Sequence, residues 1–230
     1  MKAEMLDSGV IVTVCGEELV PLLDGGLWWP NERTLIVSDL HLEKGSSQAG
    51  RGIFLPPYDT AKTLARLKVL IQNWHPCRII SLGDSFHDCN AESRMSETDQ
   101  QTLKELVDLQ EWIWIAGNHD PRPPANIGGH FRETLNIGPL SFVHEPGQNP
   151  KKGELSGHLH PAAKIRRLGR SVRRRCFVGN NQRLILPAFG AYTGGLNITD
   201  AAFDGLLATG STAWVLGTDQ IYPIAVAQCV

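Results

Sequence analysis

A chain of 230 residues, 42% hydrophobic and 20% charged, can bury a sizeable core and reads as one domain over 1–230 rather than two small ones. Its net charge of −2 excludes binding nucleic acid through the field of the whole molecule, so any such contact needs a local patch. Five cysteines, an odd number without a CxxC pair, argue against a zinc ribbon and for a reducing cytoplasm. No apolar run is long enough to span a bilayer, and the first dozen residues make a poor secretory signal.

The β-branched stretch Gly9 to Cys15 and the run Leu19 to Leu23 predict a hairpin at a sheet edge. Leu27-Trp28-Trp29 predicts another short strand, stopped by Pro30. Thr34 to Ser38 (TLIVS) has the unbroken apolar character of a buried central strand, and Asp39 and His41 stand at its exit. Residues two apart on extended chain point to one face, so this pair could reach a single ion. Glu43 to Gly52 reads as a polar loop. Asp59 predicts the N-cap of a helix starting near Thr60, with Leu64, Leu67, Leu70 and Ile71 on its buried face and the helix-end residue His75 closing it.

Arg78 to Leu82 predicts a second central strand leading to Gly83-Asp84, with His87 one turn further on. Ser96 to Leu109 follows as a helix with Leu103, Leu106, Val107 and Leu109 as its inward candidates. Glu111 to Ala116 (EWIWIA) is a third strand, running straight into Gly117-Asn118-His119-Asp120. Pro121, Pro123 and Pro124 then bar a helix. Phe131 to Thr134 and Leu140 to Val143 read as strands, the latter ending at His144. Lys151 to Glu154 reads as a loop, before His158 and His160 repeat the spacing of Asp39 and His41. The remainder is β-rich, with strands expected over Ala163 to Leu168, Arg173 to Val178, Arg183 to Leu186, Ala213 to Leu216 and Ile221 to Ile224.

Each polar cluster follows an apolar run, and open α/β sheets gather their ligand sites at the carboxyl ends of strands. Singly these clusters are weak signals. Jointly they offer Asp, Asn and His from five loops, a donor set that suits Mn²⁺, Fe²⁺ or Zn²⁺ better than Mg²⁺ or Ca²⁺. The donors are too many for one ion. Two ions about 3.5–4 Å apart, sharing a carboxylate, would use them, clamp phosphate oxygens and make a water acidic near neutral pH.

The ordered set Asp39-Leu40-His41, Gly83-Asp84 with His87, Gly117-Asn118-His119-Asp120, His144 and Gly157-His158-Leu159-His160 resembles the calcineurin-like metallophosphoesterase superfamily. The resemblance implies an α/β fold of two packed mixed β-sheets flanked by helices, with metals at the loops on one edge. Three stretches are similar to a narrower family, the bacterial DNA-ligase-associated phosphoesterases, which are manganese-dependent nucleases of DNA repair. These are Gly52 to Thr60 (GIFLPPYDT), Gly83 to His87 (GDSFH) and Leu186 to Asn197 (LPAFGAYTGGLN).

Carried onto this chain, the resemblance implies that Asp39, His41 and His160 bind one metal, that Asn118, His144 and His158 bind the other, and that Asp84 bridges them. His119 takes the place of the catalytic histidine, and His87 is expected near the phosphate. Asp120 either orients His119 or caps the turn before Pro121; His130 either approaches the site or is an ordinary loop histidine. The implied protein is a cytoplasmic dinuclear-metal phosphodiesterase, an endonuclease for single-stranded or structured DNA. Mn²⁺ is the expected metal, with Fe²⁺ and Zn²⁺ as alternatives. An ATP-dependent DNA ligase and a helicase of the same repair pathway are the implied partners. The rivals are a small-molecule phosphoesterase or cyclic-nucleotide phosphodiesterase of the same superfamily and a non-catalytic scaffold. No motif donor is missing, which disfavours the scaffold.

Arg166, Arg167, Arg173, Arg174 and Arg175, with Arg170 and Lys164 among them, follow soon after His160. They read as contacts to a nucleic-acid backbone, or alternatively as a charged edge that discourages aggregation. Strand alternation means that they cannot all face one way. Pro187 to Leu196 reads as a tight β-corner beneath the site, where Phe189 and Tyr192 are candidates for stacking on a base.

Overall fold

The structure, a computed structural model, describes residues 9–49, 52, 53, 58–122, 125–148, 152–167 and 169–230, with the side chain of Arg167 outside that set. Residues 54–57 of the GIFLPPYDT stretch, Pro123, Pro124 and Lys151 therefore lie outside the described residues. No helix among the described residues is long and apolar enough to cross a membrane.

Seven strands build the first sheet: β1 (Val12–Val14), β2 (Glu17–Pro21), β3 (Leu27–Trp29), β4 (Thr34–Val37), β5 (Arg78–Ser81), β6 (Glu111–Ile115) and β7 (His130–Arg132), in that spatial order. The first four pair antiparallel and β4 to β7 pair parallel. The second sheet takes β8 (Leu135–Ile137), β9 (Leu140–Phe142), β10 (Glu154–Ser156), β11 (Pro161–Arg167), β12 (Arg170–Gly179), β13 (Arg183–Ile185), β14 (Leu196–Asn197), β15 (Thr212–Leu216) and β16 (Ile221–Ala225). Its order is β14-β11-β12-β13-β10-β9-β8, with β15 and then β16 added beside β12. Strands β9, β10 and β13 run parallel.

The central strands read as unbroken apolar runs because both of their faces are covered. Within β4, β5 and β6, Leu35, Val37, Ile79, Trp112 and Trp114 pack outward with helix residues Leu64, Leu67, Leu103 and Leu106. The alternate residues Ile36, Ile80, Ile113 and Ile115 face the other sheet, where Phe142, Leu155, Phe177 and Leu184 meet them. A third core, including Cys176, Val178, Ile185 and Phe203, closes the outer face of the second sheet. This is the pair of mixed sheets with flanking helices that the resemblance implied.

Among the described residues four α-helices accompany the sheets: α1 (Lys44–Ala49), α2 (Asp59–Trp74), α3 (Ala91–Arg94) and α4 (Glu97–Asp108). Ser96 caps α4, its hydroxyl accepting from Asp99 N, and Leu109, an inward candidate in the sequence, is exposed because it lies at the C-cap, past the last buried turn. His75 ends α2 in the left-handed conformation with its N–H on Ile71 O. Some expectations need correction. The loop expected over Glu43 to Gly52 holds α1, formed where Glu43 caps its own turn by accepting from Ser46. Asp59 is the first residue of α2 rather than its cap, because its carboxylate is taken by Gly45 N at 2.8 Å. Strand β8, unpredicted from sequence, pairs with β9, and Glu154 opens a strand rather than closing a loop. That buried Glu154 carboxylate is 2.8 Å from buried Arg183, so a charge that looks like a loop residue in the sequence is neutralised inside the sheet.

Candidate metal centre

Every polar cluster singled out in the sequence lies where a parallel strand ends: β4 leads to Asp39, β5 to Asp84, β6 to Asn118, β9 to His144 and β10 to His158. The exits do not continue as extended chain. Asp39, His41, Asp84, His158 and His160 all have left-handed φ, between 45° and 68°. Such backbone costs about 1–2 kcal/mol per non-glycine residue and gathers at functional sites. So Asp39 and His41 converge through a left-handed turn, not through the alternation of a strand.

The glycines before Asn118 and His158 follow from how close the turns lie. A Cβ on Gly117 would stand 2.1 Å from Asp84 N, and one on Gly157 would stand 1.7 Å from Ser38 Oγ. No side chain fits in either place.

Two groups of donors result, one of Asp39, His41 and His160 and one of Asp84, His144 and His158. In the first, His160 Nε2 is 3.1 Å from Asp39 Oδ1 and 3.2 Å from His41 Nε2. In the second, His144 Nε2 is 3.4 Å from Asp84 Oδ1 and 3.2 Å from His158 Nδ1. Asp84 reaches toward both: its other oxygen is 4.0 Å from His41 Nε2. Asp39 is anchored by Ser38 Oγ at 2.5 Å and His158 N at 3.1 Å.

The electrostatics of the cluster follow from burial set against its own imidazoles. Burial alone would raise Asp39 and Asp84, but hydrogen bonds and charge from His160 and from His144, respectively, outweigh it and lower both from the ordinary carboxylate value. Burial also opposes a charged His144, yet the bond to Asp84 prevails and its pKa stands at about 9. Burial drives His41 down to about 3 against the pull of Asp39. Two buried carboxylates are therefore ionised and lean on imidazole protons for their counter-charge.

These residues fit divalent ions. In each group two imidazole nitrogens face one another at 3.2 Å, a distance that needs a shared cation or proton between them. His144 donates Nδ1–H to Leu82 O at 2.7 Å, which turns Nε2 toward the group, and a divalent ion there would take the place of the Nε2 proton. Among the described residues His41 Nδ1 is buried without a hydrogen-bond partner, and the ring meets the group through Nε2. Asn118 is exposed at the same edge, and among the described residues none hydrogen-bonds its side chain.

His119 stands 45% exposed with Nε2 3.9 Å from Asp84 Oδ2. Its Nδ1–H donates to His87 O at 2.7 Å, so a backbone carbonyl orients this ring. Among the described residues Asp120 makes neither of the two contacts expected of it. Its Oδ2 accepts from Ser85 N at 2.8 Å and Phe86 N at 3.1 Å, pinning the turn that carries Asp84. Burial and the charge of Asp84 push its pKa up to about 7, against those two N–H bonds. His87 stacks on His119 with ring centres 5.1 Å apart, and its ring lies 5.5 Å from that of His41. His130 opens the strand β7, paired with Ile113 short of the β6 exit, and joins neither group.

Other residues of the site carried no obvious sequence signal. Thr60 Oγ1 accepts from Glu43 N and donates to Glu43 Oε1, tying α2 to the turn after His41. With Asp59 on Gly45 N, this gives the described part of the GIFLPPYDT stretch its use.

The hairpin of β11 and β12 divides the arginine run. Cross-strand partners share a face, so Lys164 and Arg166 lie with Ser171, Arg173 and Arg175, whereas Arg170 and Arg174 lie on the other face with Val172 and Ala163. Arg175 is committed to Ala188 O at 2.7 Å and Asp24 O, and burial beside Arg66 lowers its pKa to about 10. The side chain of Arg167 lies outside the described residues.

A family model described as calcineurin-like phosphoesterase matches residues 32–180. Among solved structures, the crystal structure of Pseudomonas putida nuclease MPE is similar, with a TM-score of 0.73 and 28% identity over 94% of this chain and 99% of that one. The structure of YfcE, a phosphoesterase from E. coli, matches with a TM-score of 0.40 and 13% identity over 84% of this chain and 98% of that one. Among curated proteins none matches.

Proposed function

The chain belongs to the calcineurin-like phosphoesterase family, a family of metal-dependent hydrolases, and from that premise we propose that it is a Mn²⁺-supported phosphodiesterase that cuts single-stranded or structured DNA in repair. The observation that carries phosphoester hydrolysis is Asp84, 3.4 Å from a histidine of one donor group and 4.0 Å from a histidine of the other. Two factors support DNA as the substrate. The similar Pseudomonas putida protein is a nuclease. A hairpin rich in arginine also leaves the strand exit that bears His160, in a chain whose net charge is −2.

In this reading Asp39, His41 and His160 hold one ion, Asn118, His144 and His158 hold the second, and Asp84 belongs to both. Bound divalent ions supply charge for the phosphate oxygens and acidify water. The chain's own residues do the rest. His119, fixed through Nδ1, presents Nε2 at the open side and donates a proton to the leaving oxygen. His87 backs that ring by stacking. Asp120 is a positioning residue, since it acts on the Asp84 turn through two backbone N–H groups. A repair ligase and helicase are the partners this role would need.

The test is hydrolysis of a labelled single-stranded linear DNA and its circular counterpart, after chelation and re-addition of Mn²⁺, Mg²⁺ or Zn²⁺ separately. Cutting of the circle with Mn²⁺, lost in Asp84→Ala, is the expected result. Turnover of a small phosphate ester without any DNA cleavage would overturn the DNA substrate and leave a small-molecule phosphoesterase.

A further inference from the structure

The exit of β13 runs parallel to that of β10 and opens at the same edge, but its loop, residues 187–195, supplies no metal donor. The loop is pressed against the centre at both ends. A Cβ on Gly190 would lie 2.2 Å from Leu40 O, and one on Gly195 would lie 2.4 Å from His160 O. Arg175 holds Ala188 O, and Arg173 holds Gly195 O. Phe189 is fully buried beneath the Arg66 guanidinium, 4.5 Å from its ring centre, and offers nothing to a ligand.

Tyr192, between the two anchored glycines, is different. The residue is 40% exposed and its φ is 58°, a conformation that glycine adopts without strain and tyrosine does not. Lys62, from the first turns of α2, lies 5.2 Å from the ring centre and 3.2 Å from the hydroxyl. The hairpin face that reaches this loop carries Lys164, Arg166 and Arg173, and none of the paired residues on that face, 162, 164, 166, 171, 173 and 175, is acidic.

We propose that Tyr192 and Lys62, with Lys164, Arg166 and Arg173, form a track for single-stranded nucleic acid, in which Tyr192 stacks on an unpaired base beside the Asp39–His41–His160 group. The proposal rests on DNA being the substrate. An exposed ring among cations is how proteins hold single strands without reading their sequence: the ring takes the π-face of any base, and the cations take the backbone. A base inside a duplex has no free face, so the ring favours unpaired DNA. The cations at the loop ends then set the strand's course past the turn bearing His160. Arg170 and Arg174, on the far face, stand off the track.

The experiment measures binding of a fluorescein-labelled oligothymidylate and of a matched duplex by anisotropy, with divalent ions chelated, alongside Mn²⁺-supported turnover of bis(p-nitrophenyl) phosphate. Tyr192→Gly removes the ring and relaxes the backbone, so the turn can keep its shape. It should weaken oligothymidylate binding about ten-fold, the scale of one lost base–aromatic stack, and more than it lowers diester turnover or duplex binding. Tyr192→Phe, which keeps the ring, should bind as wild type does. Arg166→Ala should reduce the salt dependence by about 0.7 of a log unit per log unit of salt, one phosphate contact, and Arg174→Ala by less.

Equal losses in binding and diester turnover in Tyr192→Gly would overturn the proposal, as the ring would then be holding the metal-bearing turns. Wild-type affinity in Tyr192→Gly would overturn it too, as would a Tyr192→Phe defect as large as that of Tyr192→Gly. If the wild-type chain turns over the diester but binds no oligonucleotide, the DNA substrate itself is wrong and the track falls with it.

Discussion

Gly157→Ala tests whether the glycine before His158 is there for steric reasons. The new methyl would start 1.7 Å from Ser38 Oγ and 2.5 Å from Asp39 Oδ2, where real contacts stay beyond 3.0 Å. Ser38 Oγ would have to retreat by 3.0 − 1.7 = 1.3 Å, and Ser38 is fully buried. It cannot do so and keep its 2.5 Å bond to Asp39. If instead the Gly157 backbone withdraws, His158 N leaves Asp39 Oδ2, now at 3.1 Å. Overpacking costs about 1–3 kcal/mol, and a lost bond to a charged group adds about 1.5–3 kcal/mol. Taking about 3 kcal/mol and about 2–4 °C per kcal/mol for a chain of this size, the metal-free variant should melt about 6–12 °C lower. Since Asp39 is a donor of the first group, the variant should also retain less Mn²⁺ after desalting. Calorimetry and elemental analysis measure the two effects. Adding Ser38→Gly should restore part of the melting temperature, because it removes the 1.7 Å contact and leaves the 2.5 Å one. If Gly157→Ala melts with wild type and holds the same metal, the steric account of this motif is wrong.

Asp84→Asn keeps an acceptor for His119 N but removes the charge between the groups. Wild-type protein at about a thousand times the dissociation constant should gain about 4 kcal/mol from Mn²⁺, seen as a rise in melting temperature, and the variant should lose most of that rise. His119→Gln should lower kcat about 10²–10⁴-fold on DNA with metal content unchanged, and less on a nitrophenyl ester, whose leaving group needs no proton. Arg183→Met leaves buried Glu154 without its 2.8 Å partner and should destabilise by about 3–5 kcal/mol in a denaturant melt, whereas Arg183→Met with Glu154→Gln should recover much of it. Arg94→Gln tests the pair with Asp88. Burial disfavours the Asp88 charge, but Arg94 at 2.7 Å helps hold its pKa at about 2. A depressed carboxylate adds stability above its unfolded pKa and loses it as pH falls through the folded one. So the deficit of Arg94→Gln should be full at neutral pH and shrink between about pH 4 and pH 2.

The central sheet was legible because burial on both faces leaves a simple trace, runs such as TLIV and EWIWI that water never edits. The donors were legible because each sits directly after such a run. What was not legible depends on side chains whose partners are remote in sequence. Asp59 looks like a helix cap until Gly45 N claims it, and Asp120 looks like a partner for His119 until the turn after Asp84 claims it. Glu154 reads as loop because its Arg183 is 29 residues away, counting 183 − 154. The arginine run shows the same limit. Alternation required a split into two faces, but only the register with β11 says that Arg173 joins Lys164 and Arg174 does not.

Neither sheet carries a complete donor group. Asp39 and His41 leave the first sheet, and His160 leaves the second; Asp84 leaves the first, and His144 and His158 leave the second. Each group therefore exists only when the sheets are packed through Ile36, Ile80 and Ile113 against Phe142, Leu155 and Leu184. Metal affinity is thus drawn from the same packing that holds the fold, and binding must in turn strengthen that packing. Loosening the inter-sheet core, for example by Leu155→Ala, should weaken Mn²⁺ retention although no donor is itself changed. A variant of equal instability in the outer core, such as Val178→Ala, should spare it. If both lose metal equally, global stability sets the affinity and the sheet interface has no special part.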